Sequence, residues 1–175
     1  MASTTVVVRP LMPEDADSAR ATVVEHSRGT PYLERLLEVL DDALRFEDPE
    51  YLCLLAAPGD ADPPAGLVLF GTVLGARLVT KIHAVVAADP RVQLALLDAV
   101  RETCLRSGER LVVCELPHDE PFDVTGVVLL ASGFREEGRV EDFVRDGVAL
   151  RLFVCRPETG REITSFTRAR TTADA

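Results

Sequence analysis

The side chains best suited to chemistry lie in the middle of the chain. Lys81 and His83 stand two apart in a β-branched run, Val79–Val86, which reads as a strand. A period of two puts Lys81, His83 and Val85 on one face, with Leu78, Thr80, Ile82, Ala84 and Val86 on the other. A histidine titrates near neutrality, so His83 is a candidate to take a proton from an ammonium group. A second apolar run, Leu111–Leu116, carries Glu115 near its end, and that carboxylate could serve as the base or bind an amine. Cys114 alternates to the opposite face from Glu115 and is expected in the core. His118 and Asp119 follow Pro117 in a loop and are expected to be solvated. A Cys-His-Asp nucleophilic set stays open, although no local motif supports it. His26 and Tyr32 flank a joint between two helices and are candidates for substrate contact.

These residues need a scaffold, and the sequence supplies one. Between the two runs, Val92, Leu96, Val100 and Cys104 recur at helical spacing, with Leu97 and Leu105 beside them and Arg91, Asp98, Arg101, Glu102 and Arg106 outside. Strand, helix and strand with short joints form a βαβ unit, so the two strands are expected to be parallel. Asp89 reads as the N-cap of that helix and Pro90 as its first residue. Upstream, a strand ending at Pro10 precedes a helix opened by Pro13 and running to about Glu25. A second helix follows, with Leu33, Leu36, Leu37, Leu40 and Leu44 on one stripe and Asp48-Pro49 as its stop. Two antiparallel strands, Tyr51–Ala56 and Leu67–Leu74, lead into the central one, and Gly71 is a candidate bulge. Downstream come a short helix over Asp123–Ser132, a left-handed cap at Gly133, and two final strands. Asp146-Gly147 turns one of these into the other through the positive φ angles that the pair tolerates.

Composition bounds the rest. With 175 residues, 47% of them hydrophobic and 27% charged, the chain fits one soluble domain, taken as residues 1–156 with a polar tail over 157–175. No apolar run is long enough for a transmembrane helix, and no signal peptide is expected, so the expected location is cytoplasmic. Cys53, Cys104, Cys114 and Cys155 show no ligand-like spacing and read as buried thiols, with no metal site. A net charge of −10 would repel phosphates, which argues against nucleic acid as a partner.

The element order β-α-α-β-β-β-α-β-α-β-β resembles the GNAT superfamily of N-acetyltransferases over about residues 5–156. The likeness is best in Leu130–Gly147, with its Gly133-Phe134 pair, Gly138-Arg139, Asp142-Phe143 and the Asp146-Gly147 turn. It implies an α/β (α+β) fold: a mixed, mostly antiparallel seven-stranded sheet with helices on both faces. It also implies transfer of an acyl group from acetyl-CoA or another acyl-CoA to a small-molecule amine, with no nucleic acid or membrane partner. A homodimer is left open. His83 then sits where family members often place a general base. Backbone groups of Val85 and Val86 would dock the pantetheine arm, and Ala87, Arg91, Val92 and Gln93 would border the pyrophosphate.

Two family features are missing. The family's glycine-containing pyrophosphate loop is replaced by Ala87–Ala95, which has no glycine and is about three residues shorter. A tyrosine that often protonates the coenzyme thiolate is replaced by Leu129. Three functions follow: an acyltransferase with an altered loop, a GNAT-like binding or assembly module without coenzyme, or an enzyme using the cleft for another reaction. The altered loop predicts coenzyme binding weaker than a fingerprint-bearing member would show.

Overall fold

A computed structural model describes residues 6–45, 50–59 and 62–157. Seven strands form one sheet: β1 (Val7–Pro10), β2 (Tyr51–Ala57), β3 (Gly66–Thr72), β4 (Val79–Ala87), β5 (Leu111–Pro117), β6 (Arg135–Arg145) and β7 (Val148–Cys155). Their order is β1-β2-β3-β4-β5-β7-β6. Every pairing is antiparallel except β4 with β5, which is parallel over Val79↔Leu111 to Ile82↔Cys114. The mixed sheet and the parallel central pair are as the sequence implied. The strand start at Thr5, the helix stop at Asp48-Pro49 and the tail beyond Pro157 lie outside the described residues.

Four helices cover the two faces. On one side, α1 (Ala16–Ser27) and α2 (Leu33–Ala43) bury Val23, Val39 and Leu40 against Leu55, Leu67, Leu69 and Val86. Of the leucine stripe predicted for α2, Leu40 is fully buried and Leu33, Leu36, Leu37 and Leu44 are half-buried, and Val39 and Ala43 complete the inner face. Ahead of α1, Pro13 opens a 3-10 turn. There Asp15 accepts the Met12 N–H at 2.9 Å and pairs with Arg9 at 2.6 Å, fastening the helix entry to β1. On the other side, α3 (Pro90–Arg106) and α4 (Asp123–Ala131) bury Leu96, Leu97, Val100 and Leu129 against Val68, Phe70, Ile82, Val112 and Phe153. Leu105 belongs to neither layer and is exposed. Gly133, at φ +89°, ends α4 as expected, and the Phe134 N–H returns to Leu129 O at 3.0 Å.

Three local expectations need correction. The bulge is not at Gly71. Leu69 pairs with Ala84 and Phe70 with Ile82, so the extra residue is His83, on β4. Gly71 has another reason: a Cβ there would lie 2.6 Å from Glu50 O. The bulge also breaks the alternation along β4. Ala84 and Val86 pack with α1 and α2, while Val85 packs on the α3 side, so Val85 does not share a face with His83. Finally, in the β6–β7 turn Gly147 takes a positive φ, +77°, while Asp146 does not. Asp142 does, at +52°, and its carboxylate accepts the Gly147 N–H at 2.8 Å.

Candidate active site

The two parallel strands part. Beyond Ile82↔Cys114, β5 goes on pairing with β7 to Pro117, and β4 goes on pairing with β3 to Ala87. No β4–β5 pair follows, so a wedge opens between residues 83–87 and residues 115–117. Two devices hold β4 on the β3 side of the wedge. The bulge at His83 turns the strand, and Gly66 lets β3 come so close that a Cβ there would sit 2.5 Å from Ala87 Cβ.

A cavity of about 700 Å³ runs through this wedge. On the α1/α2 side its walls include His26, Tyr32, Arg35, Lys81, His83 and Glu115. On the α3/α4 side they include Gln93, Leu116, Phe122 and Thr125, and the β6–β7 hairpin closes one end with Phe143 and Leu150. Arg145 of that hairpin pairs with Asp119 ahead of α4, which holds the hairpin to the rim and keeps the Asp119 carboxyl below its ordinary range.

The structure therefore gathers His83, Glu115, His26 and Tyr32 around one opening, and it adds Lys81, Arg35 and Tyr51. Lys81 Nζ lies 2.6 Å from Glu115 Oε2. The Tyr51 ring meets the His83 ring edge-on, with centroids 4.8 Å apart. Arg35 Nη2 donates to the Tyr51 hydroxyl at 3.2 Å. His83 does not titrate near neutrality as the sequence suggested. Burial first, then the Lys81 and Arg35 charges, push it down to about 4, with Glu115 opposing. His83 is thus a neutral imidazole at physiological pH. It can accept a hydrogen bond, but it holds a proton weakly.

A Cys-His-Asp set is not assembled. Cys114 faces the α3/α4 core, away from His83, and burial pushes its thiol up to about 12. His118 is exposed, and its backbone N–H donates to Ala149 O. Among the described residues, no group of three or more His, Cys, Asp or Glu side chains is placed to hold a metal ion.

The start of α3 is as the sequence predicted at Asp89 and Pro90, and its donors are already engaged. Pro90 has no N–H. The Arg91 N–H goes to Asp89 Oδ1 at 2.8 Å, and the Val92 and Gln93 N–H groups go to Asp89 O at 3.0 and 3.1 Å. The Arg91 guanidinium folds back onto the same carboxylate, with Nη2 2.8 Å from Oδ2, and its hydrogen bond holds Asp89 below the usual carboxylate range. The Val92 side chain is in the core. Gln93 is buried, donates Nε2 to Ala87 O at 2.7 Å, and leaves Oε1 with no partner among the described residues. Leu129 is fully buried, so the position where the family often has tyrosine is packing here.

Sequence reasoning missed Arg35 and Tyr51 and gave Lys81 no role at the site. The only signal was scarcity: the chain has two tyrosines, and both stand beside this cavity or its histidine.

No protein-family model matches the chain, and no curated protein matches it by sequence. Solved structures match it by shape. One is a protein from Desulfovibrio desulfuricans described as an acetyltransferase of the GNAT family. It has a TM-score of 0.75 and 24% identity, over 87% of this chain and 99% of that one. The ribosomal-protein-S18-alanine N-acetyltransferase of Escherichia coli gives 0.67 and 11%, over 93% and 100%. The aminoglycoside 6'-N-acetyltransferase of Enterococcus faecium gives 0.65 and 10%, over 86% and 97%. At these identities the shared property is the fold, which is that of the GNAT acetyltransferases.

Proposed function

We propose that this protein is an acyl-CoA-dependent N-acyltransferase, acting by direct transfer to a small amine. The observation that carries the reading is the wedge where β4 and β5 part, joined to a cavity that reaches both faces of the sheet. Such an opening admits a thin acyl donor from one side and an acceptor from the other. Residues 83–87 pair with β3 on one edge, and the edge that faces β5, beyond the last β4–β5 pair, offers backbone polar groups to an extended chain. Acetyl-CoA is the proposed donor, in keeping with structural neighbours that are acetyltransferases by name.

The reaction requires a neutral amine. Its nitrogen lone pair forms the N–C bond, the C–S bond of the thioester breaks, and the proton lost by the amine ends on the coenzyme thiol. His83 and Glu115, on the two strands that part, are the candidate bases at the wedge itself. His83, kept neutral by its surroundings, can accept a hydrogen bond from the attacking nitrogen and pass the proton on through water. Glu115 is held by Lys81 at 2.6 Å, which fixes the orientation of its carboxylate at the opening. Leu129 cannot donate a proton to the thiolate, and Tyr32 gives its proton up less readily than a free tyrosine. Burial raises the Tyr32 hydroxyl, with Asp119 adding to it. Proton return is therefore assigned to solvent.

The pyrophosphate end does not fit as well as the wedge. The N–H groups of residues 91–93 are all engaged, and a charged carboxylate stands where phosphate would lie. This favours a second reading, a domain of the same fold that binds no coenzyme. Titration calorimetry with acetyl-CoA separates them. The acyltransferase reading expects saturable binding weaker than about 1 μM. No binding at millimolar coenzyme would leave the second reading.

A further inference from the structure

The charge inside the cavity is opposite in sign to that of the protein. The chain carries −10, yet the Arg, Lys, Asp and Glu side chains lining the cavity are Arg35, Lys81 and Glu115, which leaves one positive charge. Glu115, the one carboxylate among them, is already held by Lys81 at 2.6 Å. Arg35 stands at the rim, where its side chain is 60% exposed and its Nη1 pairs at 3.0 Å with Glu38, which lies outside the wall. The field of both cations reaches His83 and helps to keep it neutral. Arg35 is also placed by Tyr51, which accepts from Nη2 and packs edge-on against His83, so the guanidinium sits one ring away from the candidate base. His26, Ser27 and Thr30 add polar groups at the α1/α2 end, and Leu36, Phe122, Phe143 and Leu150 supply an apolar patch beside them.

A polyamine or aminoglycoside would bring several positive charges into a cavity with no spare carboxylate to receive them. A planar guanidinium at the rim of an apolar patch, with Glu38 as an exchangeable partner, suits a carboxylate next to a hydrocarbon side chain. Building on the acyltransferase reading, we propose that the acceptor is an amino acid with an apolar side chain, its carboxylate docked on Arg35 and its amine directed at the wedge. The product is the N-acyl amino acid plus free coenzyme thiol: the N–C bond replaces the C–S bond, and the ammonium loses one proton to the thiolate and one to solvent.

The test uses the full chain, acetyl-CoA, and matched acceptors: leucine, methionine and phenylalanine, each against its carboxamide, with spermidine as a polycation. Products are read by mass spectrometry and binding by calorimetry. Carboxamides lose their ammonium proton more readily, so intrinsic reactivity biases the comparison against the expected result. The acids should be acetylated with kcat/KM about tenfold or more above their carboxamides. Arg35→Gln should bring the acids down to the carboxamide level, and Arg35→Lys should retain part of the preference. Preference for carboxamides or spermidine, or an acid preference untouched by Arg35→Gln, overturns the proposal. So does a preference for succinyl-CoA over acetyl-CoA that Arg35→Gln erases, because the carboxylate would then belong to the donor. If nothing is acetylated, calorimetry decides. Acids that bind wild type but not Arg35→Gln keep the carboxylate site and sink the transfer reading, whereas acids that bind neither sink the site itself.

Discussion

His83 should titrate far below a free histidine. Burial in the cavity wall is the largest cause, followed by Lys81 and Arg35, with Glu115 opposing, and together they move it from 6.5 to about 4. The folded state therefore favours the neutral ring, while the unfolded chain takes up a proton near 6.5. Stability linked to His83 is fully present above about pH 6.5, falls as the pH drops toward about 4, and falls no further below that. Unscreened, that difference would be worth about 3 kcal/mol. His83 is only half-buried, and solvent screening reduces this to about 1–2 kcal/mol. His83→Gln removes the linkage. In urea unfolding at about pH 7.5 and about pH 5, wild type should lose roughly 1 kcal/mol more than the variant between the two conditions. The same variant assigns the ring resonance, since the chain has three histidines, and an NMR titration should give its midpoint near 4. Lys81→Met should raise that midpoint. A midpoint close to 6.5, or equal pH dependence in the two proteins, would refute the electrostatic account of the site. Any acyl-transfer rate should likewise show no inflection from His83 near neutrality.

Gly66→Ala should destabilise the fold by about 2 kcal/mol or more in urea, because its Cβ would meet Ala87 Cβ at 2.5 Å and Val86 O at 2.7 Å. Leu129→Ala should cost about 2–5 kcal/mol by the same measurement, since that side chain is fully buried packing in α4. Asp89→Asn keeps an acceptor for the Arg91 N–H, removes the charge and releases the Arg91 guanidinium. Calorimetry should show acetyl-CoA binding about fivefold tighter or more, and unchanged affinity would mean that this loop does not border the phosphates.

The βαβ unit was legible because its signals are local. Val79–Val86 and Leu111–Leu116 are β-branched or apolar, Asp89-Pro90 and Gly108 punctuate the helix, and a single helix of that length is the usual crossover of a parallel pair. Asp89 could be placed as a cap for the same reason. The bulge was not legible, because it requires no special residue and the residue it displaces is His83 itself. Strict alternation therefore put Val85 on the wrong face while still turning His83 and Glu115 toward one opening. Gln93 read as a polar group free to meet a ligand. Its burial follows from the Ala87 carbonyl at the end of β4, which needs a partner and takes the Gln93 amide. The Arg35–Tyr51–His83 arrangement joins three separate elements, so no window of sequence contains it. The lowered titration of His83 arises from burial and from Lys81 and Arg35, which only the fold brings to it, and its residue type alone pointed the other way.

The central claim is that the opening between β4 and β5 receives the acyl donor. Backbone amide shifts followed by NMR as acetyl-CoA is added test it most directly. The account predicts the largest changes at His83–Ala87 and Glu115–Leu116, where the two strands part. Changes confined to the open cleft lined by Arg9, Glu14 and Asp62, or no change at millimolar coenzyme, would contradict it.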